Sequence, residues 1–213
     1  VTHASGARES FASFDAEGKR LVFVTDATGE EEIRILDAWG RGEPEVVKPA
    51  AERGWYFPPR LSPDEKWVAY ADETQTLFVI PAGGGAPRQV DRSAQAEIRD
   101  YTWSPDGRWL AYSKMLPTDY SSIYVYDARE DAVHEITGPA TDDASPCWDP
   151  EGRYLYFLSH RSTNPILGTM DWDNVEAKNT KPYIVLLRKD VKNPLADLEG
   201  LPPTGAQEKD ALP

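Results

Sequence analysis

One pattern recurs along this chain at intervals in the forties, and it restricts the fold more than any single motif does. LSPDEKWVAYAD (residues 61–72) and WSPDGRWLAYSK (103–114) match closely at nine positions, and FDAEGKRLVFVT (14–25) and WDPEGRYLYFLS (148–159) follow the same plan. Aligned on Asp15, Ser62, Ser104 and Asp149, the copies stand 47, 42 and 45 residues apart. Each copy opens on a turn signal. In Ser104-Pro105-Asp106-Gly107 the serine suits position i of a type I turn, the proline presets φ at i+1, and the glycine suits i+3.

Around each turn the sequence lays out four short runs rich in Val, Ile, Tyr, Phe and Trp. ESFASF, WYFPPRL, IRDYTW and ASPCW precede the turns, and runs such as WLAY and YLYFL follow them. Next come EEIRILD, TLFVIP, SIYVYD and, after a longer gap, PYIVLL; PEVV, PRQV and AVHEIT then close the first three units. The runs show period 2 or unbroken apolarity, which fits strands and not helices. A period in the forties with four strands per repeat is the signature of β-propeller blades.

The expected fold is therefore all-β: a β-propeller of about four four-stranded blades, starting near residues 10, 55, 98 and 144, belonging to a larger six- or seven-bladed ring. Residues 1–190 form the partial propeller, with an insertion at 160–181 in the last blade, and the Pro-rich stretch 191–213 is a linker or tail. Val1-Thr2-His3 is expected to be the last strand of a further blade. Cut faces on such a segment expose more apolar area than the few hundred Å² common on soluble monomers, so they are expected to pack against more blades or another chain.

Thirty-six acidic against 23 basic residues give a net charge of −13, which repels a phosphate backbone and argues against nucleic acid as a partner. No run of 18 apolar residues is present, so no membrane helix is expected. Cys147 is the only cysteine, which excludes an internal disulfide and a cysteine metal cluster. Neither cofactor nor metal is expected.

Several motifs invite a catalytic reading and fail it. The turn unit combines a hydroxyl with a carboxylate, yet it recurs four times with aspartate in place of serine in two copies, whereas a nucleophile needs one oriented site. His3, His134 and His160 fall at strand ends, and no G-x-S-x-G accompanies them. His134-Glu135 begins like a zinc-protease helix, but Gly138 stands where the second histidine belongs. Asp171-Trp172-Asp173-Asn174 opens like a calcium loop, but Glu176 and Pro182 occupy its glycine and glutamate positions. Gly83-Gly84-Gly85 reads as a hairpin turn, and Leu201-Pro202-Pro203-Thr204-Gly205 matches a sortase pattern with no apolar segment after it. No catalytic residue is assigned. Innermost propeller strands line the channel, which makes Tyr56, Arg60, Arg99, Asp100 and Tyr101 the candidates for ligand contact.

SPDEKWVAY, SPDGRWLAYS and DPEGRYLYFLS resemble the PD-type propeller repeats of TolB, of prolyl-oligopeptidase-type peptidases and of tricorn-type proteases. SHRSTNPIL, the insertion through DWDN, and KPYIVLLRKDVKNPLA are similar to the last propeller blade of tricorn protease homologs, so that the resemblance covers about residues 1–195. It implies a parent serine peptidase that trims peptides released by larger proteases, with a PDZ domain and a catalytic core outside this segment. The propeller would guide peptides or unfolded polypeptide to the chamber, in a homo-oligomer of the cytoplasm. The alternatives are a TolB-like binding module of the periplasm without enzymatic activity, and the propeller of a prolyl-oligopeptidase-type enzyme followed by an α/β-hydrolase domain.

Overall fold

The computed structural model describes residues 6–47, 54–162, 165–167, 174–176 and 179–196. Among these residues every regular element is a strand. Blade 1 comprises β1 (Glu9–Phe14), β2 (Arg20–Thr25), β3 (Glu32–Asp37) and β4 (Glu45–Val47). Blade 2 comprises β5 (Arg60–Leu61), β6 (Trp67–Ala71), β7 (Thr76–Pro81) and β8 (Arg88–Arg92). Blade 3 is built from β9 (Tyr101–Trp103), β10 (Trp109–Met115), β11 (Ser121–Asp127) and β12 (Ala132–Glu135). Each is a four-stranded antiparallel meander in chain order. In blade 4, β13 (Asp143–Trp148) and β14 (Tyr154–Ser159) pair in turn with β17 (Lys181–Leu186) as a three-stranded sheet. Between β14 and β17 the chain inserts β15 (Pro165–Leu167) and β16 (Asn174–Glu176), which pair as a separate two-stranded sheet. Val1–His3, Asp171–Asp173 and Leu201–Gly205 lie outside the described residues.

The turn that begins each repeat is held the same way four times. Backbone hydrogen bonds join Gly18, Glu65, Gly107 and Gly152 to the carbonyls of Asp15, Ser62, Ser104 and Asp149. The side chain at the first turn position then accepts from the backbone N–H at or beside the start of the second strand: Lys19 to Asp15 at 2.7 Å, Trp67 to Ser62 at 3.0 Å, Trp109 to Ser104 at 2.9 Å and Tyr154 to Asp149 at 2.6 Å. Serine and aspartate interchange here because either supplies the oxygen that this N–H needs.

Glycine at the end of the turn is required by more than its φ of 69° at Gly107. Glu65 holds φ 58° with a side chain in blade 2, so the left-handed conformation alone is tolerated. At Gly107, however, a Cβ would fall 2.6 Å from Asp64 Oδ1 of the preceding blade, whereas at Gly152 the nearest atom is Pro105 Cδ at 3.6 Å. Gly107→Ala is expected to cost about 2 kcal/mol and Gly152→Ala about 1 kcal/mol in urea unfolding. Equal losses would contradict the close approach of turns 2 and 3.

Among the described residues the core consists of three layers between successive blades, and alternate residues of the second strands β6 and β10 feed different layers. Val68 and Tyr70 pack with Val22, Val24, Ile33 and Ile35 of blade 1. Ala69 and Ala71 face the other way, into a layer with Leu110, Tyr112, Tyr101 and Trp103 of blade 3. Ala111, Ile123 and Val125 in turn meet Leu155 and Phe157 of blade 4. Strands buried on both faces explain the unbroken apolar runs, and small alanines on one face leave room for large tyrosines on the facing blade.

First strands are also stitched across blades. The indole of Trp103 donates to the Arg60 carbonyl at 3.0 Å and that of Trp148 to the Thr102 carbonyl at 3.1 Å. β5 is only two residues long because Pro58 and Pro59 offer no ladder N–H; upstream, a single bridge joins Tyr56 to Asp72.

Candidate functional site

The five candidate residues sit on two neighbouring segments, 56–60 and 99–101, at the inner edge of blades 2 and 3. Tyr101 turns back: its hydroxyl donates to the Pro58 carbonyl at 2.7 Å, and it is buried in the layer between these blades. Burial raises its pKa well above the usual tyrosine range, against a smaller opposing effect from the Arg60 charge. Tyr56 is buried in the preceding layer, edge-on to Tyr70, with ring centroids 5.8 Å apart. Its pKa is pushed up to about 12, first by burial and then by the carboxylates of Glu73, Asp72 and Glu31. Both tyrosine rings are therefore packed between blades.

The charged members of the set are reachable. Arg60 and Arg99 are exposed, and the Arg99 guanidinium lies over the Phe57 ring at 4.0 Å, with Glu97 at 3.7 Å. Asp100 reaches forward to blade 4, accepting from the Ser145 N–H at 2.5 Å and from Ser113 Oγ at 3.3 Å. That bond depends on a bulge. Ser145 has φ 57°, and the register of β13 shifts between Ala144 and Cys147; Phe11 has the same φ at the matching place in β1. Arg99 thus stands over Phe57, which shares a small cleft with the exposed rings of Phe11 and Trp55. Such a surface can hold carbonyl, carboxylate and apolar groups of an extended peptide. The hydroxyls of Ser62 and Ser104 donate to Asp64 and Asp106 at 2.7 and 2.5 Å within their turns, so these repeated serines hold turns.

Ser145 and Phe11 escape sequence reasoning, since a bulge shifts which residues share a face. A larger cavity, about 800 Å³, opens between blades 3 and 4, lined by the indoles of Trp109 and Trp148, by Ile136 and Leu187, and by the carboxylates of Asp106 and Glu151. Only the repeat alignment could have signalled it.

Residues 1–210 match the family model described as the tricorn protease second β-propeller domain. The chain belongs to the tricorn second-propeller family. Tricorn protease homolog 1 of Streptomyces coelicolor is 27% identical over 208 residues, covering 91% of this chain and 20% of the relative. The crystal structure of the tricorn protease superposes with a TM-score of 0.73 at 22% identity, over 89% of this chain and 19% of that one. TolB from Acinetobacter baumannii shares the fold with a TM-score of 0.56 at 16% identity, over 71% of this chain and 37% of that one. The tricorn-type propeller spans about one fifth of the length of the first curated relatives that it matches.

Proposed function

We propose that this propeller is the noncatalytic, peptide-guiding region of a cytoplasmic tricorn-like serine peptidase, and that it helps assemble the enzyme. Membership in the tricorn second-propeller family is the observation that carries this reading. The surface chemistry supports it: exposed Arg60 and Arg99 offer cations to the carbonyl and carboxylate groups of a peptide. Assembly is supported by the outer face of blade 4, where Tyr156 and Leu158 are 38% and 41% exposed while Leu155 and Phe157, on the opposite face, are buried. That face suits further blades, with the catalytic core elsewhere in the parent chain.

The test is kinetic. In the parent enzyme, Arg60→Glu together with Arg99→Glu is expected to change KM for charged peptides by roughly tenfold with little change in kcat, because the wall meets substrate before chemistry. An unchanged KM would remove the wall from the substrate path.

A further inference from the structure

The gap between blades 2 and 3 is bridged by an arginine whose counterpart between blades 3 and 4 is a histidine. Trp67 and Trp109 open equivalent second strands, and Val79 and Val125 on the third strands pair with Arg88 and His134 on the fourth. Arg88 lies over Trp67 at 4.7 Å, and its Nη1 reaches across to the Ala128 carbonyl of blade 3 at 3.4 Å. Leu187 of blade 4 holds the place of Ala128, since its N–H donates to Arg153 as that of Ala128 donates to Arg108. His134 stays beside Trp109, with ring centroids 6.3 Å apart, and its shorter side chain leaves the 800 Å³ cavity beyond it.

We propose that this cavity is a docking groove for an arginine or lysine side chain of another polypeptide, which supplies from outside the cation that Arg88 supplies within the chain. The groove has the chemistry for it. Trp109 and Trp148 give aromatic surface, Ile136 and Leu187 receive the aliphatic stem and an apolar neighbour, and Asp106 and Glu151 place carboxylates at the rim, that of Glu151 shared with Arg153 at 3.0 Å. The basic groups nearby are engaged: Arg188, which lines the cavity, pairs with Asp190, Arg153 pairs with Asp149 and Glu151, and Arg108, which also lies over Trp109, pairs with Asp127; neither Arg153 nor Arg108 lines the cavity. The volume exceeds one side chain and suits a short extended segment, and the net charge of −13 draws a basic segment in from a distance.

The experiment is a titration of the 15N-labelled 213-residue chain, reading the indole N–H signals of Trp109 and Trp148. The probe is the capped peptide acetyl-Ala-Leu-Arg-Leu-Ala-amide, with glutamate replacing arginine as the control. Saturable shifts of both indoles are expected, with a dissociation constant on the order of 1 mM. The control peptide and the Glu151→Gln variant should bind roughly tenfold more weakly or not at all. His134→Arg, at an exposed strand position, should fill the groove from within and abolish the shifts while the other indole signals stay dispersed. Three results would overturn the proposal: no shift with the arginine peptide, equal shifts with the control, or wild-type affinity in either variant. Shifts that appear only after residues 197–213 are deleted would assign the groove to the chain's own tail, and overturn it likewise.

Discussion

Tyr112→Ala is expected to lower stability by about 3–5 kcal/mol, the range for losing a large aromatic from a packed core. Tyr112 is 0% exposed and stacks on Tyr124 with centroids 5.7 Å apart. Its hydroxyl donates at 2.7 Å to Asp91 Oδ2, which lies on the outer strand of the preceding blade and also accepts from Lys114 at 2.7 Å. The residue therefore joins blade 2 to blade 3 by packing and by a charge-assisted hydrogen bond at once. Tyr112→Phe keeps the ring and removes the bond, so its loss should be smaller, about 1.5–3 kcal/mol. Urea unfolding with both variants separates the contributions. A Phe variant as damaged as the Ala variant would mean that the ring packs far less tightly than its burial indicates.

The second large effect is alkaline unfolding. Tyr56, Tyr101, Tyr112, Tyr124 and Tyr126 all have pKa values raised by burial, with Tyr56 and Tyr126 each pushed up to about 12. A group whose pKa is higher in the folded state stabilises the fold fully below its unfolded pKa, about 10 for tyrosine, and the contribution drains away as pH rises past it. Each such phenol removes about 1.4 kcal/mol per pH unit above that point until its folded pKa is reached. With five together, the chain should unfold cooperatively between about pH 10 and pH 12, and phenolate absorbance for the buried set should appear with the loss of near-ultraviolet circular dichroism. Gradual phenolate formation with the fold intact would contradict the interblade burial of these rings.

The same tyrosines show where the sequence was legible and where it was not. Blade architecture could be read because turn chemistry and strand runs are local: Ser104-Pro105-Asp106-Gly107 folds as its residue types require, and EEIRILD, TLFVIP and SIYVYD form β3, β7 and β11. Which way a first-strand side chain points is not local. Tyr56 and Tyr101 sit on inner segments yet lie in the layers between blades, Tyr56 where Pro58 and Pro59 interrupt the ladder and Tyr101 where the facing alanines, Ala69 and Ala71, leave space for a large ring. The bulges at Phe11 and Ser145 were hidden for a similar reason, since neither position carries the glycine that usually announces positive φ. His134 was visible only as a histidine on a strand, and its meaning comes from the arginine at the matching place one blade earlier.

On the proposed reading, this propeller serves a peptidase without performing the hydrolysis. That reading is tested most directly by assaying peptide-amide substrates with the isolated 213-residue chain and with the full-length product of its gene. No turnover is expected from the isolated chain, and turnover that a serine-directed inhibitor abolishes is expected from the full-length product. Inhibitor-sensitive hydrolysis by the isolated chain, or a full-length product with no peptidase activity, would contradict it.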